Sequence, residues 1–170
     1  MEQDEWKKIY QLYFKPLYLY ALSLTHNTQD AEDLLQETFV KAFLSYKSTG
    51  SIKTWLIIVL KHEFLNVCRK RKREVLDGDT LYDEQNILTN PDIIISDILK
   101  KEEKRRLFNS IQKLSELQKG ILIESIYFEL TDAEIASTHG ITQAYVRKLR
   151  SRAKKKLIEI LKEVKGLNDL

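Results

Sequence analysis

The sequence predicts an all-α chain, built as two small helical domains joined by a flexible acidic linker, and three observations carry that prediction. Apolar residues recur at intervals of three and four over most of the chain, the spacing of a helical face. Turn chemistry is scarce, because five glycines and two prolines in 170 residues leave little from which to build strand connections. The sign of the charge also changes by segment: residues 61–73 hold six Lys or Arg against one Glu, and residues 74–99 hold seven acids and no Lys or Arg. The expected layout is a first domain over 1–73, a linker over 74–91 and a second domain over 92–170.

Trp6, Tyr10, Tyr13, Leu17, Ala21 and Leu24 mark one face of a first helix. Pro16 interrupts it, either by starting a second helix or by kinking one that continues. Tyr10, Tyr13, Phe14, Tyr18 and Tyr20 are read as core, since aromatics at helical spacing are mostly buried. Residues 26–30 form a polar break with several potential caps. The helix after it sets Ala31, Leu35, Phe39, Ala42, Phe43 and Tyr46 on one side and Asp33, Glu37, Val40 and Leu44 on the other. Two carboxylates in line with two exposed aliphatics suit an interface, where acids set register and the apolar pair is buried.

A short loop at 47–51 hinges on Gly50, and Ser51 can cap the next helix. Residues 55–60 are apolar on every side and are expected at the centre of the first domain. Beyond them Lys61, His62, Asn66, Arg69, Lys70 and Arg71 carry more cation than a helix dipole explains, which points to a polyanion. Residues 74–91 show no helical period and contain Asp-Gly-Asp, as a tether would. A helix is expected to open at Ile93, Ile94, Ile95, Ile98 and Leu99 and to run through Leu107, Phe108 and Ile111. Ser115 with Gln118 has capping-box spacing ahead of Ile121, Leu122, Ile126 and Tyr127.

The strongest local signal follows. Thr131 and Glu134 have the spacing of a capping box, Gly140 fits a left-handed helix stop, and Thr142 can cap a second helix, which together read as a helix-turn-helix. On that second helix Val146, Leu149, Ala153 and Leu157 form a buried stripe. The opposite face holds Ala144, Arg147, Lys148, Ser151 and Lys155, residue types that enter a major groove and meet base edges and phosphates. Arg150 lies nearer the stripe, with its stem along the core rim.

Other chemistry finds no support in the residues. The single Cys68, expected to be partly buried, and three scattered histidines do not make a metal-ligand cluster, and neither a phosphate loop nor a nucleophile elbow is present. His26, His62 and His139 are expected as surface or base-contacting side chains, and the chain is read as no enzyme, with no cofactor. Met1 is followed by acids rather than a basic and then apolar stretch, and the longest apolar run is too short to cross a bilayer, so a cytoplasmic setting without membrane insertion is expected.

Two segments resemble one family over nearly the whole chain. Residues 30–43 (DAEDLLQETFVKAF), followed by Thr54-Trp55-Leu56 and a basic helix end, are similar to region 2 of bacterial sigma factors of the sigma-70 family, in particular the extracytoplasmic-function group. The helix-turn-helix is similar to their region 4. The resemblance implies an alternative sigma factor whose partners are core RNA polymerase, met at its clamp coiled coil and flap, and promoter DNA, duplex at the −35 element and melted at the −10 element. It also implies an anti-sigma factor as a further partner. The matching core-binding positions are Asp30, Asp33, Gln36, Glu37, Val40 and Leu44. Those for −10 recognition and melting are Ser48, Thr49, Ser51, Lys53, His62, Asn66, Arg69 and Lys70, with Asn66 on the unpaired strand. Those for −35 reading are Thr142, Gln143, Ala144, Tyr145, Arg147, Lys148, Ser151 and Arg152. His62 stands where many members have Asn, and Ile58 where a basic residue is common. A helix-turn-helix regulator acting without polymerase, and a single-strand RNA binder using residues 61–73, are the alternative readings.

Overall fold

The computed structural model describes residues 3–76 and 101–168, with side chains to 166. The chain divides into two units, Met1–Pro91 and Asp92–Leu170, and all regular structure among the described residues is helical. The first unit holds α1 (Gln3–Thr25), α2 (Thr28–Ser45) and α3 (Ile52–Leu76), and the second holds α4 (Glu102–Ile111), α5 (Glu116–Ile126), α6 (Asp132–His139) and α7 (Gln143–Asn168). Most of the acidic stretch at 74–91, and the helix expected to open at 93–99, lie outside the described residues. At its start α3 continues three residues past Arg73, to Leu76.

In the first unit α1 runs unbroken through Pro16 and packs against both α2 and α3. Its second half is enclosed, and every residue from Leu17 to Ser23 is buried. That stretch, rather than residues 55–60, is the centre of the unit. α3 buries Leu56, Ile57 and Leu60 but leaves Ile58 45% exposed, because it packs through one face only. The expected aromatic core also divides. Tyr13, Tyr18 and Tyr20 are buried, whereas Tyr10, Phe14 and Phe43 are exposed beyond the point where three short helices can cover one another. These outer rings lean on neighbours instead, Tyr10 at 4.7 Å from Phe39 and Phe43 at 5.5 Å from Trp6. Cys68 is exposed, not partly buried, since it faces an open groove beside α2 rather than the packed core.

In the second unit α5 is buried from Lys119 to Glu124, and it packs against α4, α6 and α7. Phe108, Ile111, Ile135, Val146 and Ala153 are buried around it. Lys119 is almost fully buried and reaches out to donate to Glu116 at 2.9 Å.

Candidate nucleic-acid and protein interfaces

The outer face of α2 starts at a cap. The Asn27 side chain accepts the Asp30 N–H at 3.0 Å, which fixes where the helix begins and hence which residues face out. Asp33, Gln36 and Glu37 are exposed, and Val40 and Leu44 stand beside them at 52% and 75% exposure. Asp30 is different. Its Oδ1 accepts from Arg71 Nη2 at 2.6 Å, so it ties the start of α2 to the end of α3. A groove of about 830 Å³ runs between these helices, lined by Leu34, Phe64 and Val67 together with Asp33 and Glu37.

The loop after α2 is held in shape by its own residues. The Tyr46 hydroxyl donates to the Gly50 carbonyl at 2.8 Å while its ring packs edge-on against Trp55 at 5.5 Å. Ser48 takes a left-handed backbone at φ 58°, and Gly50 takes φ 111°, a conformation that side chains disfavour. Ser48, Thr49 and Ser51 are thereby presented to solvent, and the Ser51 hydroxyl accepts the Thr54 N–H at 3.5 Å, a long cap for α3. Lys53 is half-buried.

Along α3, His62, Arg69 and Lys70 are exposed, while Asn66 is half-buried with its amide 3.4 Å from His62 Nδ1. Glu63 is the buried acid of this face. Burial alone would raise its carboxyl, but the Lys41 ammonium donating to it and the nearby His62 prevail and hold it below the usual glutamate range. Lys41 is also 3.9 Å from Glu37, so this one cation links the outer face of α2 to α3.

The helix-turn-helix is built as its local chemistry predicts. Thr131 accepts the Glu134 N–H at 3.2 Å and Glu134 accepts the Thr131 N–H at 2.8 Å, completing the capping box. Gly140 ends α6 at φ 65°, and Thr142 accepts the Tyr145 N–H at 3.2 Å to start α7. Ser115 supplies the side-chain cap of α5, accepting the Gln118 N–H at 3.3 Å. Val146, Leu149, Ala153 and Leu157 are buried, and Thr142, Gln143, Ala144, Tyr145, Arg147, Lys148, Ser151 and Arg152 are exposed. Arg150 reaches back to Asp132 at the head of α6, its Nη1 at 2.5 Å from Oδ1, and Arg147 Nη1 lies 3.6 Å from the other oxygen.

One cluster escaped the sequence reading. Glu124 is fully buried, takes a hydrogen bond from the Thr138 hydroxyl at 2.5 Å and lies 3.1 Å from His139 Nε2. His139 is therefore a packed side chain rather than a surface or base-contacting one, because α6 packs against α5 and sets it beside the buried Glu124. A lone Glu within the apolar run ILIESI was the available signal, since a buried charge requires partners. Among the described residues no group of His, Cys, Asp and Glu could hold a metal ion, and no helix is long and apolar enough to cross a membrane.

Comparison with known proteins agrees with this geometry. Residues 9–74 match the model of sigma-70 region 2, and residues 104–157 match that of sigma-70 region 4. The chain is 30% identical over 166 residues to the ECF RNA polymerase sigma factor SigM of Bacillus subtilis (strain 168), covering 95% of this chain and 97% of that one. It is 29% identical over 162 residues to the RNA polymerase sigma factor YlaC of the same organism, with 91% of each covered. Among solved structures, the sigma factor RpoE in complex with the anti-sigma factor NepR from Bartonella quintana matches with TM-score 0.68 and 25% identity, over 93% of this chain and 97% of that one.

Proposed function

The chain belongs to the extracytoplasmic-function group of the sigma-70 family, and from that premise we propose that it is a dissociable subunit giving core RNA polymerase its promoter specificity. The observation that carries the reading is the division of labour between two outward faces of one chain. The first unit shows acids beside Val40 and Leu44, a face that gains by burial against protein, and the second shows a helix-turn-helix whose exposed side is small, polar or cationic. Asp33, Gln36, Glu37, Val40 and Leu44 dock on the polymerase clamp. Asp30, paired with Arg71, supports that face from behind by bracing the start of α2 against α3.

The loop carrying Ser48, Thr49 and Ser51, with Lys53, His62, Asn66, Arg69 and Lys70 on α3, receives the −10 element as its strands part. Gln143, Ala144, Arg147, Lys148 and Ser151 read the −35 element, with Thr142, Tyr145 and Arg152 flanking. The chain works in the cytoplasm, where polymerase is, and does no covalent chemistry of its own. Captured bases and cation–phosphate contacts offset the cost of strand opening, each phosphate adding about 0.9 to the salt slope on duplex. An anti-sigma protein that covers the same faces would hold it inactive; the similar RpoE of Bartonella quintana was solved in complex with an anti-sigma factor, NepR.

Run-off transcription of genomic fragments by purified core polymerase, with and without the chain, tests the reading. New discrete start sites are expected only with the chain present, and it should co-elute with core in gel filtration. Identical transcripts in both arms, with no co-elution, would overturn it in favour of a regulator that works without polymerase.

A further inference from the structure

The base-reading arginine is not a free side chain. Arg147 projects from the exposed side of α7, yet its guanidinium lies 3.6 Å from Asp132 Oδ2, while Asp132 Oδ1 takes Arg150 at 2.5 Å. One carboxylate is thus shared by two arginines three residues apart, Arg150 turned to the rim of the core and Arg147 turned to solvent, their side chains 22% and 57% exposed. We propose that Asp132 is a positioning residue for sequence discrimination: anchored by Arg150, it holds Arg147 in one orientation for a base edge and keeps it from the phosphates. The inference rests on the −35 reading above.

A merely structural pair is the competing account, and the surroundings argue against it. α6 is already docked on α7 by buried Ile135, Ala136, Val146 and Leu149, and the connection is set by Gly140 and by the Ile141 N–H donating to the Ala136 carbonyl at 3.1 Å. The helix start is satisfied by Thr131 and Glu134, so the Asp132 side chain is not needed as a cap. The hydrogen bond from Arg150 holds its carboxyl below the usual aspartate range, so the anchor is charged throughout the neutral range.

Two consequences follow from elementary terms. A long side chain held before binding loses less rotamer freedom when it meets a base. A carboxylate beside the reading face also repels phosphates, which weakens every non-cognate complex in which Arg147 would otherwise swing onto the backbone. Asp132 then gains discrimination at the expense of raw affinity, the opposite of what an added stabilising pair would do.

The test uses holoenzyme reconstituted from core polymerase and the full chain, on a promoter selected by the run-off experiment and then randomised at its upstream element. Transcript yield is read for each base at each position, for wild type, Asp132→Asn, Arg147→Ala, Arg150→Leu and the Asp132→Asn/Arg147→Ala double variant. Asp132→Asn is expected to lose about five-fold or more of the preference at a single position, the lower end of what a good base contact supplies. Yield from promoters mismatched there should rise, and the salt slope should grow by about 0.9 as one more cation finds a phosphate. Arg147→Ala should flatten the same position, with Asp132→Asn adding nothing in that background. Arg150→Leu, which removes the anchor but leaves the Asp132 charge beside Arg147, should lose part of the preference at that same position, less than Asp132→Asn does.

Three results would overturn the proposal: an unchanged preference in Asp132→Asn, a uniform loss at all positions with a lowered melting temperature, or an Asp132→Asn effect that persists without Arg147. Failure of wild-type chain to initiate from any fragment removes the −35 reading itself, and this inference with it.

Discussion

The outward face of α2 and that of α7 from Ala144 to Lys155 are both charged, yet they differ in what stands between the charges. On α2 the acids are followed along the face by Val40 and Leu44, at 52% and 75% exposure, and on α7 the basic and hydroxyl residues have no large aliphatic among them, since Val146 and Leu149 are buried. Exposed aliphatics gain free energy only against a surface that excludes water, so the first face suits a protein partner. Cations among small polar groups keep most of their strength in a hydrated groove, so the second suits duplex DNA. A single charged helix thus says little about its partner until its neighbours are counted.

The largest expected effect removes that difference on α2. Val40→Asp with Leu44→Asp places two charges where burial is required and should weaken core binding by about 100-fold or more, a loss typical of interface hot spots. Co-elution and run-off assays check it, and upstream duplex binding by the second unit should be unchanged. Next in size, Lys148→Ala should cost about 1–3 kcal/mol of discrimination at one upstream position if the side chain meets a base. A uniform loss across sequences, with a smaller salt slope, would assign it to phosphate instead.

Burial raises tyrosine hydroxyls in both units, Tyr13 and Tyr18 in the first and Tyr127 in the second. Burial pushes the Tyr127 hydroxyl up to about 12 from the ordinary tyrosine value of 10.0, and its oxygen is buried without a hydrogen-bond partner among the described residues. Its contribution is complete below the ordinary tyrosine value and is lost as pH rises through the folded value, because the unfolded chain gives up its proton first. The second unit should therefore lose up to about 1.4 kcal/mol per pH unit over that alkaline window, and Tyr127→Phe should abolish the loss without weakening the fold at neutral pH. Chemical denaturation followed across the window measures both.

The smallest effect is the acidic counterpart in the first unit. Glu63 is held below its usual value of 4.5 against its own burial, so its contribution is complete above that value and fades as pH falls through the lowered one. Glu63→Gln should flatten that acid limb. Lys41 is 43% exposed, so the stability at stake is about 1 kcal/mol or less. A steep acid limb that survives in the variant would place the titrating group elsewhere.

Legibility in the sequence was uneven for a physical reason. The capping box at Thr131 and Glu134, the left-handed stop at Gly140 and the buried stripe from Val146 to Leu157 involve residues a few positions apart, whose geometry the helix itself imposes. The same holds for the exposure of Asp33, Glu37, Val40 and Leu44, because a helix with one buried side fixes the other. Residues 55–60 misled because apolar composition on all sides does not say how much of a helix its neighbours will cover. α1 and α3 each pack against two helices, yet α1 is buried all round from Leu17 to Ser23 while α3 is left with Ile58 in solvent.

Local periodicity and capping chemistry were thus enough to establish an all-helical chain, its helix-turn-helix, and the outward faces of α2 and α7. Folding alone brought together residues distant along the chain: Asp30 with Arg71, Lys41 with Glu63, Glu124 with His139, and Asp132 with Arg147 and Arg150. Those pairings depend on how helices cross. The crossing is chosen by the fit of whole buried faces, which no short window of residues contains.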